Sequence, residues 1–227
     1  MGNSINHEVA VLGGGSFGTV IANIIAANGH AVSLWVRNDV LADEINASGQ
    51  NAAYLPGYKL DSNVTVSADL EGSVQDCGCV IFAVPSSAFR QIARQISGYL
   101  KKGTTVISTA KGIENATFLL PSQVLQQELS QCEIGVISGP NIAKEIADGQ
   151  ITATVVASDN DAFCSEVQEL LVSSNFRVYT NHDQFGVELA GALKNIYAIV
   201  SGITDAIGAG QNTKSVVLTR SLAEMNR

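Results

Sequence analysis

The stretch of sequence that decides the fold is VAVLGGGSFGTVIANIIAANGHAVSLWV, residues 9–36. An apolar run at 9–12 leads into a glycine-rich turn, residues 16–28 have the length and composition of a helix, and a second apolar run covers 31–36. This order predicts a strand, a helix and a second strand. The stretch is uncharged and long enough to span a bilayer, but its glycine and asparagine turns would leave backbone groups unsatisfied in hydrocarbon. We therefore expect a buried βαβ unit.

The alternation of strand and helix patterns continues to residue 181. Strand patterns cover residues 79–84, 104–109, 134–137, 152–157 and 176–180, and helix patterns cover residues 86–99, 119–129, 143–148 and 162–172. This alternation predicts an α/β fold with a Rossmann-type, doubly wound, mostly parallel sheet that binds ligands at the carboxyl ends of its strands. From Asp183 onward only helical spacing remains. We predict a dinucleotide-binding domain over residues 1–181, followed over residues 182–227 by the incomplete beginning of an all-helical domain.

Composition and charge exclude several classes of protein. With 46% hydrophobic and 15% charged residues, the chain has the composition of a globular protein and not of a disordered one. A net charge of -8 repels phosphate backbones, so we expect no nucleic-acid partner. The four cysteines form no C-x-x-C pair and accompany no histidine cluster, so we expect no metal site. Residues 1–7 show no secretory or myristoylation signal, which predicts a cytoplasmic protein with no stable membrane insertion.

Residues 13–18, GGGSFG, match the pattern G-x-G-x-x-G with glycines at Gly13, Gly15 and Gly18. The match is weak alone, but here it follows a strand pattern and opens a helix, which is the context of a dinucleotide-binding loop. Gly13 would allow the tight turn, Gly15 the approach of the pyrophosphate, and Gly18 the close packing of helix on strand. The first amides of the helix would bind the phosphates. The alternative is a glycine turn that binds no ligand.

The end of the second strand pattern bears on the choice between NAD and NADP. NAD-binding units carry Asp or Glu there for the ribose hydroxyls, whereas this chain has Arg37 followed by Asn38. A guanidinium at that place can pair bidentately with a 2'-phosphate. We therefore expect NADP or NAD as cofactor, with NADPH preferred. Two alternatives stay open, namely an Arg37 that is only solvated and an Asp39 that faces the ribose.

Two lysines lie in uncharged surroundings. Lys111 directly follows the strand pattern at 104–109, so it should project at the carboxyl edge of the sheet and bind an anionic substrate or cofactor. Lys194 shares a predicted helix face with Gly191 and Gly202, and a half-buried lysine of this kind can act as a general acid or base. Spacing alone equally allows a solvated Lys111 and a Lys194 whose ammonium group extends to water.

Residues 138–141, SGPN, connect a strand pattern to a helix pattern. Asparagine is a preferred N-cap residue because its side-chain oxygen accepts hydrogen bonds from the first turn of a helix. We therefore predict that Asn141 is the N-cap and that Ala143 lies just inside the helix.

Seven motifs then occur in order along nearly the whole chain. They are GGGSFGT at 13–19, YLPG at 54–57, AVPSSAFR at 83–90, TAKGIE at 109–114, SGPNIAKE at 138–145, GVELAGALKNIYAI at 186–199 and LTRSLAEM at 218–225. Together they resemble the bacterial NAD(P)-dependent glycerol-3-phosphate dehydrogenase family. The glycine loop is shared with all Rossmann enzymes, whereas GALKN after TAKG and SGPN is specific to this family.

The resemblance implies an oxidoreductase that interconverts dihydroxyacetone phosphate and sn-glycerol 3-phosphate for glycerophospholipid synthesis. It implies that Lys194 donates a proton to the substrate carbonyl during reduction and accepts it during oxidation, while Lys111 holds the substrate and stabilises oxyanion charge. The positions that match substrate-binding residues are Lys111, Gly139, Asn141 and Lys194. The positions that match cofactor-contacting residues are Ser16, Phe17, Arg37, Tyr54, Lys111 and Ala143. The assembly is left open, with a homodimer as one candidate.

The chain departs from the family pattern in three residues and in length. Asn141 stands where a hydroxyl residue is usual, and Ala206 and Ser221 stand where glycine is usual. The family continues for roughly another 100 residues, with an Asp and a Ser-Arg-Asn cluster that grip the substrate phosphate. A chain that ends at Arg227 is therefore expected to bind the cofactor with little or no turnover. Two competing hypotheses stay open: another Rossmann dehydrogenase, acting on a hydroxy acid or sugar acid, and a non-catalytic dinucleotide-binding module.

Overall fold

The computed structural model describes residues 9–227, so the prediction of no targeting signal in residues 1–7 lies outside the described part. The strands are β1 (Val9–Leu12), β2 (Val32–Trp35), β3 (Val64–Ser67), β4 (Cys79–Phe82), β5 (Thr105–Ser108), β6 (Glu133–Ser138), β7 (Thr152–Ala157) and β8 (Phe176–Asn181). The helices are α1 (Ser16–Ala27), α2 (Asp39–Ser48), α3 (Leu70–Val74), α4 (Phe89–Ile96), α5 (Pro121–Glu128), α6 (Ala143–Ala147), α7 (Asp161–Leu171), α8 (Gln184–Ala206) and α9 (Gln211–Met225).

These strands form one sheet with the order β3-β2-β1-β4-β5-β6-β7-β8. Neighbouring strands are parallel except for β6 and β7, which pair antiparallel. The predicted α/β, Rossmann-type, mostly parallel sheet is thereby confirmed. The strand order reverses between β1 and β4, and sheets of this kind bind ligands in the crevice that opens there at the carboxyl ends of the strands.

Strand β1 lies between two apolar cores, one on each face of the sheet. Val9 and Val11 belong to the core that contains residues of α1 and α7. Ala10 and Leu12 belong to the core that contains residues of α4 and α5. A parallel strand that is covered on both faces has no polar side. This explains why the strand appears in the sequence as an uninterrupted apolar run.

Three elements, α2, β3 and α3, are absent from the sequence-based prediction. Strand β3 lies at the edge of the sheet, and only Val66 of its four residues is buried. Helix α2 buries only Ala42 and Ile45. Such elements carry too few apolar residues to give a clear period. The helix predicted over 86–99 is also shorter, because a 3-10 turn at Ser86–Ala88 precedes α4, which ends at Ile96.

Two long helices, α8 and α9, follow the last strand and expose large apolar side chains. These side chains include Ile196, Ile199, Ile203 and Leu222, each more than half exposed. Strand β8 ends at Asn181, while the division into domains at residues 181 and 182 stays a prediction. Within residues 9–227, none of the helices combines the length and apolar character needed to cross a membrane.

Candidate active site

A cleft of about 840 Å³ opens at the carboxyl ends of β1, β2, β4 and β5. Its walls are the glycine loop, the residues that follow β2 and β4, and the start of the segment after β5. Lining residues that the sequence predicted for the site are Gly13, Gly15, Ser16, Phe17, Arg37, Tyr54, Lys111 and Asn141. Gly139 and Lys194 join this group through hydrogen bonds described below, whereas Gly18 and Ala143 do not line the cleft. Parts of the chain far apart in sequence therefore meet at one crevice.

The glycine loop brings the start of α1 against the end of β1. Gly13 has φ +118°, a left-handed conformation that favours glycine, and a Cβ there would lie 2.6 Å from the carbonyl oxygen of Ala83. A Cβ at Gly18 would overlap the carbonyl oxygen of Gly13. A Cβ at Gly15, in contrast, would meet no atom within 4 Å. Gly13 and Gly18 are thus required by the packing of the protein, while Gly15 leaves open space where a ligand can approach.

The segment at residues 51–54 is fixed over the first turn of α1. The Asn51 Nδ2 donates hydrogen bonds to the Gly14 carbonyl and to Thr19 Oγ1, each at 2.8 Å, and Asn51 is fully buried. The Ser16 hydroxyl donates to the Tyr54 carbonyl at 2.6 Å. These bonds hold Tyr54 at the mouth of the cleft. Sequence reasoning missed Asn51, because an isolated asparagine carries no pattern that indicates burial.

Arg37 lies on the cleft wall with an exposed side chain. No acidic side chain within residues 9–227 forms an ion pair with it. The neighbouring Asn38 lines the cleft too, but its side chain accepts hydrogen bonds from Val40 N and Leu41 N and so caps α2. Asp39 is the first residue of α2 and does not line the cleft. The arrangement leaves a guanidinium group open to an anion.

Lys111 and Lys194 meet at one backbone oxygen. The Nζ atoms of Lys111 and Lys194 donate to the Gly139 carbonyl at 3.1 and 3.2 Å, although the two lysines come from the segment after β5 and from α8. No carboxylate pairs with either ammonium group in the described part of the chain. Burial, together with the like charge of Lys194, lowers the pKa of Lys111 to about 8. Such a pair attracts an anionic or polarised oxygen.

Gly139 is placed by a close approach to β7. A Cβ at Gly139 would lie 2.8 Å from the Ala153 carbonyl oxygen and 3.0 Å from Thr154 Cα. Only a residue without a side chain fits there, so the carbonyl that both lysines contact is fixed against the sheet. The antiparallel pairing of β6 with β7 creates this contact.

The prediction that Asn141 is the N-cap of α6 is wrong. Ile142 holds the N-cap position, and no side chain caps the helix. The Asn141 Nδ2 instead donates to Thr154 Oγ1 at 3.0 Å, and the Thr154 hydroxyl donates to the Ser138 carbonyl at 3.2 Å. A hydroxyl has one proton to give, which fixes the amide orientation and leaves Asn141 Oδ1 buried without a partner in the described structure. Contact with β7 thus outweighs the local capping preference, and a hydrogen-bond acceptor is left at the cleft.

The segment that carries Lys111 is anchored by a cluster of charged residues. Arg90 on α4 donates to both carboxylate oxygens of Glu114, at 2.9 and 2.7 Å, and also pairs with Glu128 on α5. Arg94 pairs with Glu128 at 3.0 Å. Hydrogen bonds from Arg90 lower the pKa of Glu114 to about 2. Arg90 and Glu114 lie in two of the sequence motifs, but nothing in the motifs shows that they pair.

The fold and cleft together define a Rossmann-type dinucleotide-binding protein with two lysines at the carboxyl edge of its sheet. Family models described as NAD-dependent glycerol-3-phosphate dehydrogenase N-terminus and C-terminus match residues 8–164 and 183–227. The chain belongs to this family, and the resemblance drawn from the motifs is confirmed.

Individual relatives agree with this assignment. The chain is 52% identical over 227 residues to glycerol-3-phosphate dehydrogenase [NAD(P)+] of Teredinibacter turnerae, and the match covers 100% of this chain and 66% of the relative. The enzyme of the same name from Saccharophagus degradans is 52% identical over 99% of this chain and 63% of the relative. The crystal structure of glycerol-3-phosphate dehydrogenase from Coxiella burnetii superposes with a TM-score of 0.90 at 37% identity, covering 98% of this chain and 68% of that one. The chain thus spans slightly less than two thirds of the length of these curated relatives.

Methyl groups added at Gly15 and at Gly18 should have different effects. We expect Gly18→Ala to lower the free energy of unfolding by about 1–3 kcal/mol, because the new Cβ overlaps the Gly13 carbonyl. Gly15→Ala should leave the thermal midpoint nearly unchanged but weaken NADPH binding by about tenfold or more, a change of about 1.4 kcal/mol. Thermal unfolding and fluorescence titration with NADPH measure the two effects. Unaltered NADPH affinity in Gly15→Ala would contradict a phosphate site at this loop.

The Lys111 amine should titrate near pH 8 in the free protein. Trace labelling with acetic anhydride across pH, read by peptide mass spectrometry, should show half-maximal reactivity of Lys111 near pH 8 because only the neutral amine reacts. Lys194→Met should raise this midpoint, since it removes the neighbouring positive charge. The exposed Lys102→Met serves as the control and should not move it. A wild-type midpoint of about 10.4, the value of an exposed lysine, would contradict the described environment.

Proposed function

We propose that this chain carries the cofactor site and the two active-site lysines of a glycerol-3-phosphate dehydrogenase. The reaction is the reversible NAD(P)H-dependent reduction of dihydroxyacetone phosphate to sn-glycerol 3-phosphate, which supplies glycerophospholipid synthesis. The observation that carries the proposal is the convergence of Lys111 and Lys194 on the Gly139 carbonyl, beside the dinucleotide cleft. The names of the relatives support the same activity. The cytoplasmic location and a homodimeric assembly remain part of the proposal.

The residues of the cleft fit a dinucleotide. Gly15 offers open space at the N-terminus of α1, where backbone amides and the helix dipole favour a phosphate group. Gly13 allows the tight turn from β1 to that helix. Arg37 lies at the end of β2, the position at which Rossmann units distinguish the two cofactors, and forms no ion pair within residues 9–227. The cleft volume of about 840 Å³ lies within the range of ligand sites.

Lys194 and Lys111 have different roles toward the substrate. A dinucleotide held by the glycine loop and Arg37 would supply the hydride for reduction of the carbonyl carbon. The Lys194 ammonium group donates a proton to the carbonyl oxygen during reduction, and its amine takes that proton back during oxidation. The Lys111 ammonium group holds the anionic substrate and stabilises negative charge that develops on the same oxygen. The buried Asn141 Oδ1 adds an acceptor for a hydroxyl or amide hydrogen of the bound molecules.

Arg37 should favour NADPH over NADH. We expect Arg37→Ala to weaken NADPH binding by about 10- to 100-fold, because a charge-assisted hydrogen bond contributes about 1.5–3 kcal/mol. NADH lacks the 2'-phosphate, so its affinity should change much less. Asp39→Ala tests the alternative in which Asp39 faces the ribose, and we expect it to leave both affinities unchanged. Equal losses of NADH and NADPH affinity in Arg37→Ala would contradict the proposal that this residue binds the 2'-phosphate.

The activity is tested by following oxidation of NADPH, and separately of NADH, with dihydroxyacetone phosphate. Loss of a positioned proton donor typically costs about 10²- to 10⁴-fold in rate, so Lys194→Met should lower kcat to that extent and still bind NADPH. The control is again Lys102→Met, which lies outside the cleft. A Lys194→Met variant that retained the wild-type rate would make Lys194 a structural residue and the mechanism wrong.

Two other outcomes separate the competing hypotheses. Turnover of a hydroxy acid or sugar acid, with no response to dihydroxyacetone phosphate, would assign the chain to another class of Rossmann dehydrogenase. If NADPH binds but dihydroxyacetone phosphate neither reacts nor protects Lys111 from labelling, the chain acts as a dinucleotide-binding module. Protection of Lys111 without turnover would place a substrate site in this chain. The lack of turnover would then be attributed to the part of the relatives, about a third of their length, that this chain does not match.

A further inference from the structure

Glu188 is a buried carboxylate with no role in the mechanism above. It lies in the second turn of α8 and is 3% exposed. Its Oε1 accepts the backbone N–H of Ser122 at 3.0 Å, and its Oε2 accepts the Ser122 hydroxyl. Ser122 is itself buried and is the second residue of α5. The carboxylate therefore caps the first turn of a helix that lies 66 residues away in the sequence.

This contact supplements the local capping of α5, in which the Gln123 side chain accepts a hydrogen bond from the Leu120 N–H at 2.9 Å. The N-cap residue of α5 is Leu120, whose side chain has no atom that can accept a hydrogen bond. Pro121 has no N–H to satisfy, so Ser122 carries the first backbone donor within the helix. A negative charge is also favoured at a helix N-terminus. Glu188, on α8, thus accepts the hydrogen bonds of Ser122 that a capping side chain close in sequence usually accepts.

Stability alone does not account for a buried carboxylate at this place. No basic side chain forms an ion pair with Glu188 in the part of the chain that the structure describes. Burial raises its pKa, although interactions with Ser122 and with the Ser108 side chain act in the opposite direction. Replacing buried charge by apolar side chains is often neutral or stabilising, and the best-supported use of such groups is to fix one geometry. The two directional hydrogen bonds from Ser122 constrain the position of this turn of α8 relative to the start of α5.

Three contacts follow one another at three-residue intervals along α8. Glu188 contacts α5, and Gly191 lies against the end of β6, where a Cβ would come within 2.5 Å of Ser138 Oγ. Lys194 then donates to the Gly139 carbonyl. Residues three apart are neighbours on a helix surface, so these contacts form one continuous line. A shift of the helix at Glu188 would therefore move the Lys194 ammonium group as well.

The contact between Glu188 and Ser122 also bears on the position of Lys111. Ser122 is the second residue of α5, the helix that directly follows residues 109–120, and Lys111 lies near the start of that segment. The pairing of Glu114 with Arg90 fixes the middle of the segment. The Glu188–Ser122 bonds connect the end of the segment to α8, so they join the two parts of the chain that carry the lysines.

We propose that Glu188 is a positioning residue: by capping α5 from α8, it sets the place of the Lys194 ammonium group beside Lys111 at the Gly139 carbonyl. The catalytic consequence rests on the proposed function, while the geometric one does not. A misplacement of a catalytic group by about 1 Å can cost about 10²-fold in rate. Glu188 touches neither lysine, so its effect on the site is indirect.

The test measures the labelling midpoint of Lys111, which reports the position of Lys194 and does not require turnover. Displacing Lys194 removes a neighbouring positive charge, so Glu188→Leu should shift the labelling midpoint of Lys111 upward, toward the value of Lys194→Met. Glu188→Gln keeps an acceptor for the Ser122 N–H and should shift the midpoint less. Ser122→Ala loses only the hydroxyl donor and should also give a smaller shift. Val124→Ala, a core truncation on α5, is the control for general loss of stability and should leave the midpoint in place.

Thermal unfolding of each variant identifies the conditions under which it is folded. A folded Glu188→Leu or Ser122→Ala with the wild-type midpoint would overturn the proposal, and so would an equal shift in Val124→Ala. If Glu188→Leu fails to fold, Glu188→Gln and Ser122→Ala decide the question. Where dihydroxyacetone phosphate is turned over, kcat should fall by up to about 100-fold in Glu188→Leu with NADPH affinity retained. A shift in the Lys111 midpoint in a chain without turnover would support the positioning role and count only against the proposed reaction.

Discussion

The backbone contact between Gly13 and Gly18 is the constraint on which the cleft depends. Because a side chain at Gly18 would overlap the Gly13 carbonyl, α1 can begin immediately beside the end of β1. The N-terminus of the helix is then placed at the switch point between β1 and β4, where the crevice opens. The bonds from Asn51 and Ser16 fix the segment at residues 51–54 over the same turn. The position of the proposed phosphate site therefore follows from a steric requirement of the fold.

The second constraint is electrostatic. An acidic chain of net charge -8 brings two lysines to one carbonyl oxygen and places no carboxylate against them within the described residues. Two neighbouring ammonium groups repel each other, and this repulsion is relieved by an anion or by loss of a proton. The acidic side chains nearby, Glu114 and Glu188, are used to hold the supporting segments in place. This division of roles leaves the positive charge available to a ligand.

The departures from the family pattern have different structural explanations. Asn141 donates a hydrogen bond to Thr154 on β7, and its Oδ1 has no partner among the described residues. Ala206 ends α8, and the left-handed position after the helix is taken by Gly208 with φ +72°, so the chain does not need glycine at 206. Ser221 is buried on α9, and its hydroxyl bonds back to the Val217 carbonyl one turn earlier. The latter two therefore fit the helices in which they stand.

The sequence by itself determined the βαβ unit, the strand and helix order around it and the glycine loop, because these depend on local periodicity and on residues a few positions apart. It also indicated Lys111, through its place directly after a strand. Only the tertiary structure decided which groups meet: Lys194 with Gly139 across 55 residues, and Glu188 with Ser122 across 66. The antiparallel β6–β7 pair, which turned Asn141 away from capping, likewise arises from strand pairing and not from local preference. Hydrogen bonds between distant elements leave no period in the sequence, so the same pattern is compatible with several partners until the chain is folded.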